Sequence, residues 1–308
     1  MPLKTPIKIL ISVDFDAVSG WLGTGSSPEN NMADYSTGVF AARVGVPRLL
    51  KLFDRLHIAN NVTWFLPGHS IESFPDQTAA IVSSGAEIGL HGYCHENSNQ
   101  LTELQERDVI EKCISLVKGL TGRTPKGFRA PLYSLRGNTI KILEQNGIVY
   151  DSSLSGHDSE LYFLPEGGGM PIQRPRFEPH VKAEDWMHPL PKDVFTNGLI
   201  EIPCGWYTED MTPLQFWPHN SNSQGYVDTR LVEQMWKDRF EFIHMEASEK
   251  QGNQQTVFPL IMHPDTAGMA HVLPMIERFL KWLLEKKDDV EFVQYGVAAA
   301  EWKSTYAD

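Results

Sequence analysis

Through its first 155 residues the chain alternates short apolar runs with stretches of helical spacing. Strand-like runs occupy 7–16 (IKILISVDFD), 61–68 (NVTWFLPG), 86–92 (AEIGLHG), 126–131 (KGFRAP) and 148–154 (IVYDSSL). Helical periodicity fills the intervals at 46–57, 73–85, 101–122 and 138–147. Thr102 followed by Gln105 predicts a capping box at the start of the longest of these. Such alternation leaves few choices. Each helical crossover returns the chain to the same end of the sheet, so successive strands must be parallel. When such a sheet closes into a barrel, the chemistry gathers at the C-terminal ends of its strands.

The alternation stops at 155–198, which is rich in Pro, Gly and His (PEGGGMP, PRFEPH, HPLPKD). A stretch this long without periodicity is read as an insertion rather than a linker. Strand character resumes at 199–207 and lapses in an aromatic, irregular segment at 208–226. A helix at 229–248, a strand at 256–264, a helix at 271–287 and a strand at 290–296 follow. The expectation is an α/β fold: one barrel-like domain over 1–308 with about seven parallel strands. Its insertion loops fall at 155–198 and 208–226.

Charge narrows the partners. With 27 basic and 39 acidic side chains the formal charge is −12, and basic clusters are absent. Such a surface repels nucleic acid, anionic membranes and polyanionic substrates. No apolar run approaches the ~20 residues of a membrane span. The opening MPLKTPIKILISVDFD is broken by Asp14 and Asp16 and reads as a buried first strand, not a signal peptide. Cys94, Cys113 and Cys204 are odd in number and scattered, which suits a reducing compartment. Cytoplasmic location follows as an expectation.

Four short motifs carry chemistry. Asp14 and Asp16 are two apart on a strand, so they point to one face. Neighbouring carboxylates there call for a cation or a shared proton, unless the strand end simply dissolves into a polar loop. His91 and His95 in HGYCH are four apart, a spacing that on a helix presents both rings to one Zn²⁺. The alternative is two polar residues closing a strand. The zincin pattern does not apply, because Gly92 stands where it needs a glutamate. Cys94 between them reads as a small buried side chain pointing away. His263 in LIMHP ends a strand, either as a reactive group at a barrel mouth or as a hydrogen-bonded structural histidine. Arg129 in FRAPLY lies either on the surface or at a pocket, orienting a carboxylate. Together, one carboxylate and two histidines make a metal set with open positions. Metal-assisted amide hydrolysis also needs a base for the water proton and an acid for the leaving nitrogen. The remaining aspartate and histidine supply both.

VDFD, HGYCH, FRAP and LIMH resemble, in order and approximate spacing, the motifs of the polysaccharide deacetylase family. The resemblance covers residues 8 to 300. It implies a distorted (β/α) barrel of the NodB-homology type with fewer than eight strands. It implies Asp14 as general base, Asp16, His91 and His95 as metal ligands, and Arg129 holding the base. The Leu132 N–H would bind the oxyanion and His263 would be the general acid, with turnover bell-shaped in pH. Trp206, in CGWY, and Tyr133 would line the substrate pocket. The implied cofactor is one divalent metal, Zn by default, with Co, Ni, Mn or Fe also accepted. The implied reaction removes N-acetyl groups from an amino sugar, small molecule or oligosaccharide.

Two departures stand out: Phe15 separates the acids, and Gly92 replaces the usual Ser or Thr after the first histidine. VDFDAVSGWLG and TWFLPGHSIESFP look more like a branch holding intracellular peptidoglycan-deacetylase-like proteins, allantoinases and cyclic imide hydrolases. That branch implies a homo-oligomer, dimer or tetramer, with loops closing the site. It leaves hydrolysis of a small cyclic imide or allantoin-type ureide as an alternative. A non-catalytic carbohydrate-binding protein on the same barrel is a second. His69 and Glu72 in GHSIES receive no unique role.

Overall fold

Strand β1 (Ile7–Asp14) is buried at every position, as a parallel strand covered on both faces requires. Ile7, Ile9, Ile11 and Val13 face the larger hydrophobic core. Leu10 turns the other way, toward Phe65, Tyr150, Ile200 and Val257. Ser12 and Asp14 share the Leu10 face by the two-residue repeat. The computed structural model describes residues 3–22, 32–169, 175–189, 192, 198–216, 225, 227–250 and 254–306.

Eight further strands occur among the described residues: β2 (Thr63–Leu66), β3 (Glu87–Leu90), β4 (Gly127–Phe128), β5 (Tyr150–Asp151), β6 (Tyr162–Phe163), β7 (Ile200–Glu201), β8 (Val257–Met262) and β9 (Val290–Phe292). The sheet runs β6-β7-β5-β4-β3-β2-β1-β8, with β9 also on β1. β1 is held along both edges: β8 pairs from Lys8 to Val13, while β2 and β9 share the opposite edge. Every pairing is parallel except β6 with β7. The sheet curls into a distorted (β/α) half-barrel, as expected. The antiparallel β6 was not expected, because two residues inside an irregular insertion carry no periodic signal. Residues 208–210 run beside the free edge of β8. Thr208 O accepts from Ile261 N at 2.9 Å, and Asp210 N donates to Ile261 O at 3.2 Å.

The helices are α1 (Ser19–Leu22), α2 (Met32–Phe40), α3 (Val46–Arg55), α4 (Gly68–Ser73), α5 (Pro75–Ser83), α6 (Glu103–Thr121), α7 (Gly137–Gln145), α8 (Met211–Leu214), α9 (Thr229–Glu249), α10 (Leu273–Leu284) and α11 (Tyr295–Tyr306). A π-helical turn, Ala41–Gly45, joins α2 to α3. It brings Gly45 so close to the loop after β8 that a Cβ there would sit 2.0 Å from Pro264 O. α6 opens with the capping box: Gln105 N donates to Thr102 Oγ1 at 3.3 Å and Thr102 N to Gln105 Oε1 at 2.9 Å. α10 buries Met275, Ile276, Phe279, Leu280 and Leu283 on one stripe. Truncating one of these, such as Leu280, to Ala would cost roughly 2–5 kcal/mol. No helix of the described residues is long and apolar enough to cross a membrane. Residues 170–174, 190–191, 193–197, 217–224 and 226 of the two insertions lie outside the described residues.

Candidate metal centre and active site

The C-terminal ends of β1, β3, β4 and β8 each deliver a polar side chain to one buried place. Asp14 closes β1, His91 follows β3, Arg129 follows β4 and His263 follows β8. Asp16 is carried two residues beyond Asp14, while Phe15 between them is fully buried with its ring 6.2 Å from Phe74. Phe15 therefore turns into the core and leaves both carboxylates on one side.

Asp16, His91 and His95 come together, with one donor atom from each lying within 4.8 Å of the others. His91 Nε2 is 3.3 Å from Asp16 Oδ1, and His95 Nε2 is 3.6 Å from Asp16 Oδ2. Asp16 Oδ1 is buried without a hydrogen-bond donor among the described residues. His91 Nδ1 donates to Arg129 O at 2.8 Å, so its Nε2 lone pair faces Asp16. A buried orphan carboxylate oxygen beside two imidazole nitrogens is a donor set that fits a divalent cation of the zinc type. Burial alone would lift the Asp16 carboxyl, but positive charge on the neighbouring His95 and His91 outweighs it and holds it well below the usual range.

The two histidines do not share a helical face. They bracket a tight turn in which Gly92 has φ +65° and His95 φ +60°, a left-handed geometry that stops a helix from forming. Cys94 is half-buried rather than buried. Burial, then the Glu96 charge, pushes its thiol up to about 12, so it stays protonated. His69 and Glu72 border this turn rather than join the ligand set: Glu72 takes the Tyr93 hydroxyl at 2.6 Å and the Lys112 ammonium at 2.8 Å.

Arg129 is fully buried, not on the surface. Its Nη1 donates to Asp14 Oδ1 at 2.6 Å and to Ser12 Oγ at 2.9 Å. Its Nε and Nη2 reach Ser152 O and Oγ, and its guanidinium lies 4.2 Å from the centre of the Phe65 ring. Asp14 Oδ2 is left 3.8 Å from His91 Nε2 and 3.8 Å from His263 Nε2. The far side of His263 is fixed: Nδ1 donates to Asp210 Oδ1 at 2.8 Å, and the backbone N–H to Asp210 Oδ2 at 3.0 Å. Burial would lower the His263 value, yet the bond to Asp210 and the charges of Asp210, Glu209 and Asp14 raise it well above the ordinary histidine range.

Leu132 and Tyr133 follow Arg129 in a turn with φ +56° and +54°. Left-handed non-glycine residues cost of order 1 kcal/mol or more each and cluster at functional sites. The Tyr133 hydroxyl donates to Glu209, whose other oxygen takes Thr212 Oγ1. The Tyr133 ring meets Trp206 edge-on with centroids 4.6 Å apart. Trp206 is 49% exposed and its neighbour Tyr207 87%.

Glu209 and Asp210 were not among the expected site residues. They sit in YTEDM, at the start of a segment whose lack of periodicity hides which side chains turn inward. Adjacent acids after two aromatics are the one available signal.

A family model described as polysaccharide deacetylase matches residues 36–150. The chain is 52% identical over 307 residues to the peptidoglycan deacetylase-like protein FGM2 of Gibberella zeae, covering 98% of this chain and 89% of that one. It is 38% identical over 296 residues to a peptidoglycan deacetylase of Helicobacter pylori, covering 96% of both. The crystal structure of PuuE allantoinase has a TM-score of 0.76 at 22% identity, covering 100% of this chain and 94% of that one. At that identity it is similar in fold alone.

Proposed function

The chain belongs to the polysaccharide deacetylase family, and from that premise we propose that it is a metal-dependent hydrolase removing N-acetyl groups from an amino sugar. The observation that carries this is the placement of Asp14. One of its oxygens is held by Arg129 and the other stands 3.8 Å from the His91 and His263 rings.

Asp16, His91 and His95 would hold the metal. When bound, it would supply a Lewis acid that polarises the amide carbonyl and acidifies water. The remaining roles belong to the chain's own groups. Asp14 Oδ2 takes the proton of the attacking water, with Arg129 fixing the carboxylate through Oδ1 so that Oδ2 cannot turn away. His263 holds a proton on Nε2 and gives it to the leaving nitrogen, because Asp210 locks Nδ1–H and keeps the ring cationic. The Leu132 N–H, carried on a strained turn, is assigned to the developing oxyanion. Tyr133 and Trp206 form the apolar wall of the site. Half of Trp206 and most of Tyr207 are open to solvent, which favours a sugar ring stacked at an accessible edge over a small cyclic amide sealed inside.

Acetate release from N-acetylglucosamine oligomers, before and after chelation and zinc repletion, tests the proposal. Succinimide and allantoin serve as the competing substrates. Turnover of either ring with no acetate release would replace deacetylation by cyclic amide hydrolysis. Deacetylation unchanged by exhaustive chelation would remove the metal from the scheme.

A further inference from the structure

The turn Gly92–His95 closes on a carboxylate that has no place in the chemistry above. Glu96 folds back under it. Its Oε1 accepts from Tyr93 N at 3.0 Å and its Oε2 from Cys94 N at 2.6 Å. The outer side of the same turn is tied down elsewhere. Gly92 O accepts from Gly68 N at 2.9 Å and from the Cys113 thiol at 3.1 Å, and Tyr93 O accepts from His69 N at 2.7 Å. The peptides between the two histidines are thus gripped on both sides. His95 itself is held at φ +60°, a conformation that an unsupported non-glycine residue leaves readily.

Gly92 is part of the same device. A Cβ at that position would lie 2.8 Å from Glu96 Oε1 and 3.0 Å from Pro131 Cγ. The carboxylate occupies the space that a side chain at position 92 would need. The glycine that departs from the usual family motif therefore answers to its own φ of +65°, to Pro131 and to the carboxylate three residues beyond Tyr93.

We propose that Glu96 is a positioning residue for the metal ligands: its carboxylate braces the left-handed turn that presents His95 to Asp16 and His91, and Gly92 is the gap that the brace requires. The proposal rests on the ligand set assigned above. An acidic brace is suited to this work because it accepts two successive backbone N–H groups at once, as charge-assisted bonds. Groups that orient metal ligands from behind typically account for 10–100-fold in affinity.

The test is Zn²⁺ affinity of the full chain, measured by competition with a chromogenic chelator, with no substrate present. Glu96→Ala is expected to weaken binding by about 10–100-fold. Glu96→Gln, which keeps one carbonyl acceptor and the same shape, should fall between Ala and wild type, and it reports on the brace even if the alanine variant folds poorly. Gly92→Ser should lose more affinity in the wild-type background than in Glu96→Ala, because the collision with the carboxylate is gone in the latter. Wild-type affinity in both Glu96 variants would overturn the proposal. So would a lowered melting temperature of the metal-free protein with zinc affinity unchanged, since that is a purely structural role. Failure of the wild-type chain to bind zinc at all would bring down the ligand set and the brace together.

Discussion

Asp210 grips His263 at two points, its Oδ1 2.8 Å from Nδ1 and its Oδ2 3.0 Å from the backbone amide. The ring can neither flip nor exchange tautomers without breaking a charge-assisted bond. The same contact, with Glu209 and Asp14 nearby, keeps the imidazolium favoured well past the usual histidine pH despite burial.

An acid that must be protonated to act is lost as pH rises through its own value. Because that value is raised in His263, activity should persist into the alkaline range before falling. Asp210→Asn keeps the shape, removes the charge and should draw the alkaline limb of kcat to lower pH. His263→Ala should cost roughly 10²–10⁴-fold in kcat. A pH–rate profile checks both, and an alkaline limb unmoved by Asp210→Asn would deny His263 its role as acid.

Arg129→Lys tests how Asp14 is held. Lysine retains a charge but not the planar fork that reaches Ser12, Asp14 and Ser152 together. Removing one partner of a buried pair costs about 3–5 kcal/mol; because lysine keeps the charge, a smaller fall than that in urea denaturation is expected, with a larger effect on kcat than on KM. A variant with wild-type stability and kcat would show that the pair is idle.

Asp16→Asn separates metal binding from folding. The charges of His95 and His91 outweigh burial and favour its ionised form, so losing the charge should lower the melting temperature of the metal-free protein. Zinc affinity should drop by more than the 10–100-fold typical of groups behind the ligands. Calorimetric zinc titration and thermal melts of the stripped protein give the two numbers independently. Retained tight binding would remove Asp16 from the ligand set.

Asp151 and Glu201 make a prediction about pH and stability. They are register partners on β5 and β7, both fully buried, and Asp151 Oδ2 and Glu201 Oε2 lack partners among the described residues. Burial raises both, Asp151 to about 6, and the neighbouring Asp151 carboxyl raises Glu201 further. A folded value above the unfolded one means stability that is full at low pH and is lost as pH climbs through the folded value. The window runs from about pH 4, where free carboxyls titrate, through about 6 for Asp151. Asp151→Asn should flatten the decline in unfolding free energy across that window. Parallel curves for variant and wild type would show that the pair does not bind the extra proton.

The sheet was legible because its strands obey rules that sequence displays directly. β1 reads as a continuous apolar run, and the helices between strands show their stripes. The four motifs were legible because each ends a strand. The turn between His91 and His95 was not legible, since a four-residue spacing that would suit a helical face does not reveal that Gly92 and His95 adopt positive φ. Glu209, Asp210 and β6 were invisible for a related reason: their positions are set by pairing with β7 and β8, partners distant in the chain. Arg129 read from its own motif was open between surface and pocket, because nothing nearby in sequence announces the Asp14 it neutralises; the family resemblance alone pointed to that pairing.

The segment at 206–210 carries three duties in five residues. Trp206 and Tyr207 face outward beside the site, Asp210 steers His263, and the backbone in between runs as a makeshift stave along Ile261. On the roles proposed above, a loop graft meant to retune sugar preference would disturb proton delivery and the aromatic wall in the same stroke. Selectivity in this scaffold should be altered by swapping the two aromatics singly, leaving the peptide track beneath them untouched.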